Sequence, residues 1–408
     1  MTVQNITPTW NQLLELAQNN NPQRRMHKPG QSPSSVPIPS SMHKLPPETS
    51  PPVVLYRDAD SWCPFCERVW FALEEKGIPF ATKFVDLRDK PKWYLDLVPT
   101  GLVPAAKIED RLVYESKEIL LALEARFNDV PLLPTDPEEN AIAREFIEAD
   151  ETNGVEKAGF RFLKQPPMNK PDRAASQAAF EAKLDELEQA LTTYPGFYFL
   201  STFSLVDVMY APQLDRLAAS LPVYQDYHIK DNPRFPNLNT WLNAINHRPA
   251  YNRVKTDAGT INFIIRRHWG VEPLKKPLPL DLVFSETLHY RAEGAERLCN
   301  NREVAIADIL KNSGVQILAM NGDISAITDR IEVYLKLLAN YLLHGDKTLL
   351  PWNRVDGKEN FNPFSVAVGT IALDYVRNHI CAPRDMSAGA AVACRAAADK
   401  VLAFLHSK

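Results

Sequence analysis

From Val53 onward the apolar residues fall first in short runs and then at helical spacing. Val53-Val54-Leu55-Tyr56 reads as a buried strand, Pro64 to Lys76 as a helix, and Phe80 to Val85 as a second strand. Ala105 to Ile108 and Leu112 to Tyr114 read as two short strands around the turn Glu109-Asp110-Arg111, and Ser116 to Phe127 as a closing helix. The order βαβ then ββα predicts an α+β sheet domain over residues 53–134. Beyond Pro134 the period becomes helical, with faces at Ala141 to Thr152, Ala175 to Leu191, Leu205 to Ala219 and Leu238 to Asn246, so residues 135–272 are expected to be all-α. Ser204 followed by Asp207 is a capping box that starts one of these helices.

Pro273, Pro277 and Pro279 cannot continue a helix, which makes residues 273–280 a linker. Four further helices are expected after it, Glu286 to Leu310, Ile324 to Leu343, Phe364 to Ile380 and Met386 to His406, giving a helical extension domain over residues 281–408. The second of them carries a stripe of Ile324, Ile327, Ile331, Leu335, Leu338 and Leu342, which demands apolar partners and so predicts a packed bundle rather than a trailing tail. The last is rich in small residues, among them Ala388, Gly389, Ala391 and Ala396, which invite close approach of a neighbour. At the other end, residues 1–52 hold one short apolar helix candidate, Trp10 to Ala17. A stretch crowded with Pro and Ser, Pro22 to Pro52, follows it and reads as an extended tail, so that residues 1–52 make a Pro-rich N-terminal extension.

At 408 residues the chain exceeds a single core, in keeping with several domains. A net charge of -4 with both signs scattered gives no electrostatic footprint for nucleic acid. No apolar run is long enough to span a bilayer, and no secretory signal or transit-peptide pattern is seen at the N-terminus, so a cytoplasmic protein is expected. Five cysteines, two of them in one C-x-x-C, suit a reducing compartment.

That pair, Cys63-Pro64-Phe65-Cys66, follows an expected strand and opens an expected helix. A helix start offers unpaired N–H groups and the positive end of the dipole, which stabilise an anionic sulfur. Zinc would need further ligands, and Cys299, Cys381 and Cys394 are single and far apart, so no metal is expected. Gly101-Leu102-Val103-Pro104 precedes a strand, where an X-Pro bond is a candidate for cis and would turn the Val103 backbone toward the thiol. Glu115-Ser116 sits at a strand-to-helix junction, where a helix N-terminus and an acid together suit an α-amino acid end, or serve as an ordinary cap.

These residues together, with Asp89-Lys90-Pro91-Lys92-Trp93, resemble the cysteine-type members of the glutathione transferase superfamily over roughly Val53 to His268. The omega, lambda, dehydroascorbate reductase and iota classes are the nearest in pattern, and the long region after Asp281 is most like the iota class. The resemblance implies a thioredoxin-fold N-terminal domain followed by an all-α domain. It implies that Cys63 is the catalytic thiol, that Phe65 walls the site, and that Lys90 meets the glycyl carboxylate of glutathione. The Val103 backbone, beside cis-Pro104, would pair with the cysteinyl backbone, and Glu115 and Ser116 would hold the γ-glutamyl end.

A cysteine in this place implies mixed-disulfide chemistry with glutathionylated or oxidised acceptors, including deglutathionylation and dehydroascorbate reduction. Cys66 is either a resolving thiol or simply packed one turn into the helix. In the extension, His344, Trp352 and Arg354 lie on one loop between two expected helices. They would either grip a planar anionic ligand such as a flavin or tetrapyrrole, making this a binding protein, or serve as packing and surface residues.

Overall fold

The computed structural model describes residues 8–21, 50–166, 170–274, 288–319, 324–349, 354–355, 358–359 and 362–407. They form two compact units, one of Met1–Pro37 together with Leu278–Lys408, the other of Ile38–Pro277.

The first unit contains the first helix of the chain, α1 (Trp10–Asn20). Thr9 caps it by accepting from Gln12 N at 3.3 Å, while Gln12 Oε1 accepts from Thr9 N at 2.8 Å. Its stripe of Trp10, Leu13 and Ala17 is buried in the core of the C-terminal helices. The short helix expected at Trp10 to Ala17 is present and is an integral part of this unit. The partner of its buried face lies some three hundred residues away in the chain, beyond the reach of local spacing.

The Ile38–Pro277 unit carries a four-stranded sheet of β1 (Val53–Asp58), β2 (Phe80–Val85), β3 (Ala105–Ile108) and β4 (Arg111–Tyr114), in the order β2-β1-β3-β4. β1 runs parallel to β2, with Asp58 opposite Val85, and antiparallel to β3, with Tyr56 opposite Ala105. β3 is antiparallel to β4, with Ala105 opposite Tyr114. Helices α2 (Pro64–Glu75), α3 (Lys92–Leu97) and α4 (Ser116–Arg126) complete the sheet domain.

Among the described residues seven helices follow: α5 (Pro137–Asn153), α6 (Val155–Leu163), α7 (Lys170–Ala190), α8 (Leu205–Tyr224), α9 (Pro236–Asn246), α10 (Pro249–Val254) and α11 (Ala258–Trp269). Ser204 and Asp207 form the expected capping box on α8, and Asp207 also accepts the Trp241 indole N–H at 2.7 Å. α8 is buried nearly all round. α6 approaches it so closely that a Cβ on Gly159 would lie 2.4 Å from Leu217, which is why a poor helix former stands mid-helix there.

The C-terminal part of the first unit adds α12 (Leu288–Asn312), α13 (Ser325–His344), the two-residue strands β5 (Arg354–Val355) and β6 (Lys358–Glu359), α14 (Pro363–His379) and α15 (Ala388–His406). Ile327, Ile331, Leu335, Leu338 and Leu342 of the α13 stripe are fully buried. Ile324 is not part of the stripe. It is the residue before the helix and is 45% exposed. The small residues of α15 admit a neighbour as expected, for the Tyr290 ring of α12 occupies the space over Gly389. Most of the proline linker, from Lys275 on, lies outside the described residues. Among those residues no helix is long and apolar enough to cross a membrane.

Candidate active site

The strand register brings the chemistry together. Because Ala105 faces both Tyr56 and Tyr114, the segment after β1, the residues just before β3 and the residues just after β4 all leave the sheet at one end. The parallel pairing of β1 with β2 sends the loop carrying Lys90 out at the same end. Cys63, Val103-Pro104, Glu115-Ser116 and Lys90 therefore belong to one edge, although more than fifty residues separate the first from Glu115.

Cys63 is the N-cap residue of α2 and is 7% exposed. Its sulfur caps nothing. It points across to Val103, whose carbonyl oxygen is 4.0 Å from Sγ, and the Val103–Pro104 bond is cis. The loop in front of the cysteine is held from within by Asp58, at the end of β1, whose Oδ2 accepts from Trp62 N at 2.6 Å and Cys63 N at 3.2 Å. Burial pushes the Asp58 carboxyl up from its ordinary value, against the pull of Arg57, the two backbone donors and Arg216.

Cys66 is 1% exposed. Burial pushes its thiol far up, and a hydrogen bond with Cys63 raises it further. It is packed against the Cys63 sulfur, a placement that a resolving thiol and a packing residue share. Phe65 is half-buried with the Arg68 guanidinium 4.9 Å above its ring. Lys90 is half-buried.

Glu115, the N-cap of α4, takes φ +69° and makes no capping bond, leaving an exposed carboxylate beside the buried Ser116. A non-glycine residue in the left-handed region is costly and collects at functional positions. Tyr94, which sequence reasoning passed over, donates its hydroxyl to Leu102 O at 2.5 Å and so secures the turn before Val103.

Beside Cys63 stands an aromatic wall that the sequence also did not announce. The Trp62 ring stacks on His268 at 6.1 Å, and both Trp62 and Phe160 meet Trp269 edge-on, at 5.4 and 5.5 Å. Lys164 Nζ lies 4.2 Å above the Trp269 ring. Its members come from α6, α11 and the loop before α2. No local spacing links them, and only the adjacency of Trp62 to Cys63 could have hinted at it.

Of the second constellation, His344 is exposed at the end of α13, where partial desolvation, with Arg291 and Lys347 nearby, lowers its pKa. Trp352 lies outside the described residues, and of Arg354 only the backbone, in β5, is described. Among the described residues no group of His, Cys, Asp or Glu is placed to hold a metal ion.

Two family models match this unit, that of the glutathione S-transferase N-terminal domain over residues 62–126 and that of the C-terminal domain over residues 170–244. Protein IN2-1 homolog A of Oryza sativa subsp. japonica is 33% identical over 200 residues, which cover 48% of this chain and 78% of that protein. Glutathione S-transferase DHAR2 of Arabidopsis thaliana is 30% identical over 194 residues, 47% of this chain and 84% of the relative. Among solved structures, glutathione transferase Omega 3C from Trametes versicolor is similar at 28% identity with a TM-score of 0.45, over 51% of this chain and 86% of its own.

Proposed function

Since the chain belongs to the glutathione S-transferase family, with glutathione as co-substrate, we propose that it is a glutathione-dependent thiol transferase or reductase whose nucleophile is Cys63. The observation that carries the reading is a cysteine at the start of α2, with its sulfur turned toward the Val103 carbonyl beside cis-Pro104. A hydroxyl in that place would promote conjugation by stabilising bound glutathione thiolate. A thiol forms a mixed disulfide instead.

In the proposed cycle the Cys63 thiolate attacks the glutathionyl sulfur of an acceptor R–S–S–G. The acceptor sulfur leaves and takes up a proton, and Cys63 carries the glutathionyl group. A second glutathione thiolate attacks that disulfide, giving oxidised glutathione and free Cys63. With dehydroascorbate the two glutathiones supply the two electrons and two protons that make ascorbate. In this scheme Cys66 takes no covalent part. Lys90, Val103, Glu115 and Ser116 hold the tripeptide, and Phe65 walls it. The apolar wall of Trp62, Phe160 and Trp269 suits acceptors with an apolar body. The iota assignment rests on the length of the chain after Asp281. No observation favours flavin or tetrapyrrole binding at His344, Trp352 and Arg354.

A thioltransferase assay on Cys63→Ser and Cys66→Ser tests the reading. The first substitution should abolish turnover without unfolding the protein, and the second should leave turnover of the same order. Equal losses would replace this monothiol scheme by a dithiol one, and full activity in Cys63→Ser would refute it.

A further inference from the structure

The loop that delivers Cys63 adopts a conformation it would not choose alone. Ser61, two residues before the cysteine, has φ +56°, in the left-handed region that a serine enters only when its surroundings impose it. Those surroundings come largely from the all-α domain. Arg216 of α8 is 1% exposed and divides its donors among four acceptors. Nε donates to Trp62 O, Nη2 to Ser61 O at 3.4 Å and to Glu67 Oε2 at 2.7 Å, and Nη1 to Pro212 O at 2.9 Å. Thr256, just before α11, donates Oγ1 to the same Ser61 carbonyl at 2.6 Å. From the opposite side Arg57 Nη1 donates to Ser61 Oγ at 3.1 Å, and Asp58 takes the Trp62 and Cys63 N–H groups. Both faces of the peptides leading into Cys63 are thus held.

We propose that Arg216 is a positioning residue of the Cys63 site. With Thr256 it locks Ser61 in the left-handed conformation, and through Ser61 and Trp62 it fixes where the Cys63 sulfur stands relative to the Val103 carbonyl. A guanidinium suits the task because its planar fork serves several acceptors at once in a dry place, which an ammonium cannot do with the same geometry. If Arg216 served only as the partner of buried Glu67, its bonds to the Ser61 and Trp62 carbonyls would have no consequence for the thiol. The proposal rests on the reading of Cys63 as the nucleophile.

The test uses the full-length protein and two readouts. One is the rate of Cys63 alkylation by iodoacetamide, separated from Cys66 by peptide mass spectrometry. The other is kcat and KM with a small glutathione mixed disulfide. Arg216→Gln combined with Glu67→Gln removes the fork without leaving a buried charge unpaired, and Thr256→Val removes the second hand on Ser61.

The glutamine pair should slow alkylation and lower kcat on the order of tenfold, since misplacing a reacting group by about 1 Å costs up to about a hundredfold. KM should hardly move. Adding Ser61→Gly should recover much of the loss, because glycine enters the left-handed region unaided. Unchanged alkylation in both the glutamine pair and Thr256→Val, or a loss that Ser61→Gly does not reduce, would overturn the proposal. Should the glutamine pair fail to fold, Thr256→Val with and without Ser61→Gly decides alone. A wild-type protein that alkylates at Cys63 but turns over no mixed disulfide would refute the thiol-transfer reading and leave the positioning role intact.

Discussion

Shortening Leu13 to alanine should release α1 from its bundle. The helix has 11 residues, and an isolated helix of that length is barely populated in water, so its order depends on docking. Docking rests on the buried side chains Trp10, Leu13 and Ala17, with Leu14 and Leu16 half-covered, and on the Trp10 indole N–H, which donates to Glu332 Oε1 at 2.9 Å. Leu13 is 1% exposed, and removing such a side chain from a packed core costs about 2 to 5 kcal/mol. Since each 1.4 kcal/mol is a factor of ten, hydrogen exchange of the α1 amides should speed up by roughly 30-fold to 3,000-fold, or until protection is gone. The exposed control Asn11→Ala should change it by no more than about threefold. Exchange–mass spectrometry on the peptide covering residues 9–21 reads this directly. Unaltered protection in Leu13→Ala, or α1 amides already unprotected in the wild type, would refute the reasoning.

Two further outcomes follow from the Ile38–Pro277 unit. Burial raises the Asp207 carboxyl to about 6 from an ordinary 3.8, so the folded chain holds a proton there that the unfolded chain has lost. Its contribution to stability is therefore present in full below about pH 4 and is lost as the pH rises through about 6, a difference of roughly 3 kcal/mol. Denaturant titrations of wild type and Asp207→Asn between these limits should show that slope only in the wild type, and parallel curves would exclude it. Replacing Glu115 by glycine relieves its φ of +69° and removes its carboxylate, so thermal stability should hold or rise by about 1 kcal/mol while glutathione affinity falls. A lower melting temperature with undiminished affinity, by calorimetry, would mean that Glu115 serves the fold and not the ligand.

Where the physics was local, the chain could be read. The short apolar runs at Val53 to Tyr56 and Phe80 to Val85 mark the first strands, Ser204 and Asp207 mark the start of α8, and the α13 stripe marks a helix that has to be buried. Cys63, Glu115 and Ser116 stand out by residue type at strand-to-helix junctions, and Val103 by the proline that follows it just before a strand. Their convergence on one ligand is legible only through the family resemblance, because it depends on Ala105 meeting both Tyr56 and Tyr114, pairings that no short-range pattern encodes. α6 and α11 were passed over. Gly159 reads as a breaker until the approach of Leu217 is known, and Thr-Asp-Ala-Gly across the start of α11 reads as a turn although Asp257 caps the helix. Arg216 left one signal that went unused. A charge in a helix apolar almost all round has nowhere to go but inward, and must there find partners.

The placement of α1 has a consequence for kinetics. Its sequence neighbour is the Ile38–Pro277 unit, while its packing partners are α12 and α13, so an unbroken backbone keeps a detached α1 on the same chain as its groove and makes its recapture intramolecular. A single cleavage within residues 22–49, where proline and serine crowd the sequence, would break that tether and turn recapture from a first-order into a second-order event. Nicked protein should then keep α1 in concentrated solution and shed it on dilution, whereas intact protein should be indifferent to concentration.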